Sequence, residues 1–377
     1  MLWALRFMRM PHGDIGSVDE RGCGRETGIF SGADLSGGCD MVSIDLERFS
    51  LKHLLGTGAN YEVYAAIDSE TGRDVVLKRP WAQSLRGGQH RYIDELSARV
   101  IELHRLLGDS IPHLPPLVAY TERRRHDGYF GDAFPQEYHV LVEERARGVP
   151  LVADIKDRFR GIPIGLGQNL FALYPLVPHR VAGLTGILQQ LLDVEEAFTR
   201  KGYLVLDLRP QNVFFDPKTG EITVIDIGTF VDQNAARQAR QAPDLHDCLA
   251  ELCKFYLASN RPPVHASGYR EPFGMGPALG FSRDLERMIQ NCLQQTTGAL
   301  QATAVEILQK IKRREYGTME AFRRDLQPYF ALVDERNRNL QEFPHLVEAW
   351  RQGMEMLRES YWRKFLFDPD TDLIYYR

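Results

Sequence analysis

The chain is poor in cysteine, with five in 377 residues. Cys23, Cys39, Cys248, Cys253 and Cys292 are odd in number and contain no C-x-x-C pair. That argues against a disulfide framework or a zinc knuckle and suits a reducing, cytoplasmic setting. No segment approaches the ~18 consecutive apolar residues of a membrane span. The opening MLWALRFMRM is apolar but short and broken by Arg6 and Arg9, and no small-residue cleavage site follows it, so no signal peptide is expected. Positive charge is not in surplus either. A formal net charge of −5 gives no sign of a dedicated nucleic-acid binder. Arg123-Arg124-Arg125 and the run from Lys310 to Arg314 read as solvated loop and helix faces.

What is present is ordinary globular material, 44% hydrophobic and 26% charged. The length suits one large two-lobed domain, or two domains with tails. Residues 11–40 are rich in Gly, Asp, Ser and Arg and hold few large apolar side chains. They cannot bury enough surface to offset the entropy of ordering, so residues 1–43 are expected to form a disordered arm.

The most informative stretch runs from Gly202 to Phe230. Val213-Phe214-Phe215 and Ile222-Thr223-Val224-Ile225 are short, β-prone apolar runs, and Asp216 to Gly220 supplies turn chemistry between them. The pair predicts a β-hairpin. Asp207, Asn212 and Asp226 stand at the ends of these runs. Two carboxylates and an amide are oxygen donors suited to Mg²⁺, which keeps much of its water and leans on few protein ligands.

Asp207-Leu208-Arg209-Pro210-Gln211-Asn212 resembles the D-x-x-x-x-N catalytic loop of protein kinases, and Asp226-Ile227-Gly228 resembles their D-F-G. The resemblance implies an α+β, bilobal kinase-like fold, with a small β-rich lobe carrying one main helix and a larger, mostly helical lobe. It implies that Asp207 accepts the proton of an attacking hydroxyl, and that Asn212 and Asp226 hold the metal ions bridging ATP phosphates. Arg209 stands where such kinases place a lysine, and is expected to contact the γ-phosphate.

Upstream residues extend the likeness. Gly56-Thr57-Gly58, followed by Val63, resembles the glycine-rich loop that covers phosphates, with Tyr61 in place of its third glycine. Val75-Val76-Leu77-Lys78 resembles the strand V-A-I-K. Its lysine would pair with the α/β-phosphates and with a helix glutamate, Glu102 or alternatively Glu95. The helix predicted over Arg91 to Leu107 carries both, with Leu96, Val100, Leu103, Leu106 and Leu107 on its apolar face. The loop from Thr121 to Glu137 is read as polar. Glu143-Glu144-Arg145 resembles the hinge at which adenine meets backbone, assigning Glu144 to the nucleotide along with Val63 and Val76. Glu143 would guard the back of that pocket, an odd place for a carboxylate that implies either a register shift or an unusual pocket.

Departures from the pattern bear on function. Val205 and Leu206 replace the histidine and arginine before the catalytic aspartate, no A-P-E follows Gly228, and the segment from Asp226 to Asp244 is short. Loss of that arginine removes the usual partner of an activation-loop phosphate. Further helices are predicted over Val181 to Arg200, from Asp244 onward, and over Asp284 to Leu293 and Ala302 to Lys312. Residues 154–178 form a long link.

The domain division is therefore an arm over 1–43, a small lobe over 44–145, a large lobe over 146–316, and a helical extension over 317–377. The stripe Leu346, Trp350, Met354, Leu357, Tyr361 and Phe365 would pack on the large lobe or bind a partner. The resemblance implies transfer of the γ-phosphate of Mg²⁺-ATP to a hydroxyl, most simply Ser/Thr of a protein substrate. A small-molecule kinase of the same fold and a non-catalytic nucleotide-binding scaffold are the alternatives.

Overall fold

The computed structural model describes residues 43–57, 60–81, 90–107, 111–147, 149–150, 187–208, 212–215, 219, 221–228, 230–233, 243–257 and 281–338. Residues 1–42 of the expected N-terminal arm, the 154–178 link and the stripe from Leu346 to Phe365 lie outside them; Ser43, the last residue assigned to the arm, bridges Tyr120. The described residues form an α+β fold with a five-stranded antiparallel sheet and seven helices.

Strands β1 (Phe49–Thr57), β2 (Tyr61–Asp68), β3 (Asp74–Pro80), β4 (Leu117–Tyr120) and β5 (Leu141–Glu144) lie in the order β1-β2-β3-β5-β4. The turn from β2 to β3 has a physical cause. Gly72 takes φ +69° and donates its N–H to the Asp68 carbonyl at 2.7 Å. The buried Asp68 carboxylate accepts from Thr71 at 2.7 Å and from Arg48 at 2.7 and 2.6 Å. Arg48 beside it holds this carboxyl well below the usual carboxylate range.

β3 is central, and it is buried from Val75 to Pro80. Side chains alternate across a strand, so Lys78 and Arg79 point to opposite faces and each needs its own counter-charges. Arg79 takes Glu62 at 2.7 Å and Asp132 at 2.6 and 2.7 Å. Its guanidinium lies 4.4 Å from the Phe130 ring centroid. The segment between β4 and β5 is thus not simply the polar loop its composition suggests. It folds back through a one-turn helix, α2 (Asp127–Phe130), and buries Phe134 and Tyr138 against the sheet.

Helix α1 (His90–Leu107) serves two hydrophobic cores. Leu96, Val100 and Ile101 join the sheet core, whereas Leu103 and Leu107 join a second, helical core. Leu106 is 56% exposed, a correction to its place on the apolar face. The helix is shared between two layers, so its buried arc shifts along its length.

The second core is built on α3 (Ile187–Arg200), α4 (Leu245–Tyr256), α5 (Phe281–Gln295), α6 (Gly298–Lys312) and α7 (Met319–Arg338). α3 matches the periodic segment expected there over its described part. At its end Gly202 adopts φ +85° and donates to the Thr199 carbonyl at 3.0 Å, ending the helix and launching β7 (Tyr203–Val205). β7 pairs with β10 (Phe230–Asp232), and β6 (Val149–Pro150), β8 (Val213–Phe215) and β9 (Ile222–Val224) form a three-stranded sheet. The β8/β9 pairing Val213↔Val224 to Phe215↔Ile222 is the hairpin read from sequence. Asp244 caps α4 in a reciprocal capping box with Asp247. Helix α7, in the expected extension, buries Met319, Phe322, Leu326 and Tyr329 in this core, and its Arg323 reaches Asp193 of α3 at 2.6 Å.

One buried acid in this core has a measurable consequence. Burial pushes the Glu195 carboxyl up from its ordinary 4.5 to about 8; the Val205 N–H opposes this, and the charge of Glu251 adds to it. The folded protein therefore holds a proton that the unfolded chain releases. Stability from this group is full at acid pH and falls as pH rises from 4.5 to about 8, by about 1.4 kcal/mol per unit. Urea unfolding across that window should show a decline that Glu195→Gln flattens. Parallel profiles for the two proteins would show that Glu195 titrates normally.

Candidate functional site

Register on the sheet assembles the first half of the site. Val63 pairs with Lys78, Ala65 with Val76, Lys78 with Leu141, and Val76 with Glu143. Directly paired residues project to the same side, so Val63, Val76, Lys78 and Glu143 share one face. The Lys78 ammonium meets the Glu143 carboxylate at 2.7 Å, and the two residues are only 7% and 4% exposed. This corrects the pairing expected with Glu102 or Glu95. Both of those stand at exposed positions of α1, because the helix turns Leu96, Val100 and Ile101 toward the sheet. It also answers the question raised by Glu143. Glu143 lies on the same sheet face as Lys78, with Val76 as its cross-strand partner, and its carboxylate is spent on that ammonium.

The second half comes from the β7–β9 region. Asn212 donates through Nδ2 to the Asp207 carbonyl at 3.0 Å. The Asn212 carbonyl accepts from the Ile225 N–H at 2.8 Å, fixing the residue beside Asp226. The buried Tyr256 hydroxyl donates to the Leu208 carbonyl at 2.5 Å and holds the loop from below. Asp207 and Asp226 both adopt left-handed backbone, φ +74° and +59°. Such conformations cost about 1–3 kcal/mol each and persist only where their surroundings over-determine them. Two aspartates so held, with Asn212 linking the Asp207 carbonyl to the Ile225 N–H, form a built turn rather than a frayed one.

The two halves meet electrostatically. Burial alone would lower the Lys78 ammonium, but the charges of Glu143 and Asp226 outweigh it and the net shift is upward. Burial raises the Asp226 carboxyl, Lys78 lowers it, and Glu143 raises it further. The Asp226 side chain is reached by solvent. Gly228 adds a steric link, since a Cβ there would lie 2.9 Å from Leu96 Cδ1 of α1. Arg99 of α1 donates to the Phe230 carbonyl at 2.8 Å. No protein-family model matches this chain, and no curated protein matches it.

The remaining expected residues fall as follows. Gly56 lies in β1, and among the described residues a Cβ there would meet nothing within 4 Å. Tyr61, at the place of the third glycine, is buried and its hydroxyl shares a 2.9 Å hydrogen bond with Ser97 of α1. Glu144 pairs with Val75, and so faces away from Lys78. Its N–H donates to the Pro116 carbonyl at 3.0 Å, so that N–H is committed within the fold. Gly58 and Arg209 lie outside the described residues. The residue that sequence reasoning missed as a partner is Glu143, and its signal was a carboxylate ending an apolar strand.

Proposed function

We propose that the chain is an ATP-dependent phosphotransferase with a bilobal, protein-kinase-like arrangement, the sheet core forming one lobe and the helical core the other. The observation that carries this is the buried Lys78–Glu143 ion pair on the sheet, supported by the electrostatic reach of Lys78 to Asp226, 148 positions away, and by the Asn212 bond to the Asp207 carbonyl. A buried ammonium within electrostatic reach of a solvent-exposed aspartate supports a site for a polyphosphate with its cation.

The donor set fits Mg²⁺. Asn212 spends its amide N–H on Asp207, which leaves its amide oxygen as the donor, and Asp226 supplies a solvent-reachable carboxylate. When bound, the cation would neutralise charge on the phosphates. Lys78 would position the triphosphate from the sheet side, with Val63 and Val76 supplying apolar surface beside it. At Glu144 the N–H is committed to Pro116, so an adenine there would not be held by that donor. Asp207 would hold the acceptor hydroxyl and take its proton. The preferred acceptor is a protein Ser/Thr, with a small-molecule hydroxyl as the branch of the same chemistry favoured by the short segment after Asp226.

A non-catalytic nucleotide-binding scaffold is the second reading, favoured by Val205, Leu206 and the anchored Tyr61. Incubation of the purified protein with Mg²⁺, γ-labelled ATP and a cell lysate separates the two. Label on protein or metabolite supports transfer. Nucleotide binding without label supports the scaffold, and neither outcome appearing would overturn both.

A further inference from the structure

We infer that Glu143, on strand β5, is the positioning residue for Lys78, so that the lysine is aligned by the sheet itself and not by helix α1. The inference rests on the nucleotide reading above. Its ground is geometric. Val76 pairs with Glu143 and Lys78 with Leu141, which sets Glu143 on the lysine's own face one strand away. The 2.7 Å ion pair closes between two strands of a continuous antiparallel sheet, whose spacing is fixed by the backbone ladder. Both partners are buried, and a buried ammonium with such a partner has little freedom to leave it.

Helix α1 makes different contacts. It braces the turn after Asp226 through Leu96 against Gly228, reaches Phe230 through Arg99, and takes the Tyr61 hydroxyl on Ser97. A displacement of α1 would therefore be felt at the Asp226 turn and at the end of the glycine-bearing hairpin, while Lys78 keeps its carboxylate. On this inference, control acting through α1 would be read first on the Asp226 side.

The test compares full-length wild type with Glu143→Gln, Glu143→Asp, Glu102→Gln and Glu95→Gln. Affinity for a fluorescent ATP analogue with Mg²⁺ and steady-state transfer are both read, and melting without nucleotide checks folding. Misplacing a phosphate-contacting group by about 1 Å costs on the order of 10²-fold, so Glu143→Gln should lose about that much in kcat/KM for ATP. Analogue affinity should fall with it, and KM for the acceptor should stay put. Glu143→Asp, which keeps the charge, should recover most of the loss and carries the test if Glu143→Gln does not fold. Glu102→Gln and Glu95→Gln should stay within about twofold. Equal losses in either helix variant, or wild-type affinity and turnover in Glu143→Gln, would overturn the inference and leave the nucleotide reading standing. Wild type that binds no MgATP analogue would overturn the nucleotide reading itself.

Discussion

Lys78→Met is expected to destabilise the protein by about 3–5 kcal/mol, in addition to removing its nucleotide affinity. The lysine is buried on the central strand, and its partner Glu143 is buried beside it. Deleting one ion leaves the other stranded in a medium where charge is poorly solvated. Replacing both with apolar groups of similar volume removes that penalty, so Lys78→Met/Glu143→Leu should recover most of the lost stability. Nucleotide binding should not return with it, because the ammonium is still missing. Chemical denaturation of the three proteins reads the first effect and titration with a MgATP analogue the second. A single variant as stable as wild type would mean that the pair is solvated. A double variant no more stable than the single one would mean that the loss is not electrostatic.

Asp207→Asn is expected to lower phosphoryl transfer by about 10³-fold, within the range for loss of a positioned general base. Amide for carboxylate preserves shape, and the loop is held by main-chain contacts that the change does not touch. These are the Asn212 bond to the Asp207 carbonyl and the Tyr256 bond to the Leu208 carbonyl. Nucleotide-induced stabilisation should therefore persist while transfer disappears. Transfer that survives at wild-type rate would remove Asp207 from the role of base. Loss of nucleotide affinity along with transfer would assign it to binding instead.

Local chemistry explains what could be read from the sequence. The β8/β9 hairpin, the central strand carrying Lys78, and the helix ending near Arg200 all follow from short-range periodicity and turn residues. The Asn212 bond to the Asp207 carbonyl, and the tie of Asn212 to Ile225 next to Asp226, were legible because these residues flank one hairpin. Glu143 was not legible as a partner, since the offset between β3 and β5 is set by strand register, which no single segment contains. The helix glutamate was expected from analogy, and the structure leaves Glu95 and Glu102 exposed while Leu96, Val100 and Ile101 take the sheet-facing side of α1. Leu106 looked apolar-faced because periodicity carries no information about where a helix passes from one core to another. The segment between β4 and β5 looked polar because its aromatic residues, Phe130, Phe134 and Tyr138, are spread among charges that turn out to clamp it to Arg79.

Whether Lys78 and Asp226 converge on one triphosphate can be measured directly with an ATP analogue carrying a lysine-reactive acyl phosphate. Peptide mapping by mass spectrometry should place the label on Lys78, excess MgATP should block it, and Asp226→Asn should weaken that protection. Labelling confined to other lysines, or labelling of Lys78 that MgATP leaves untouched, would contradict the account.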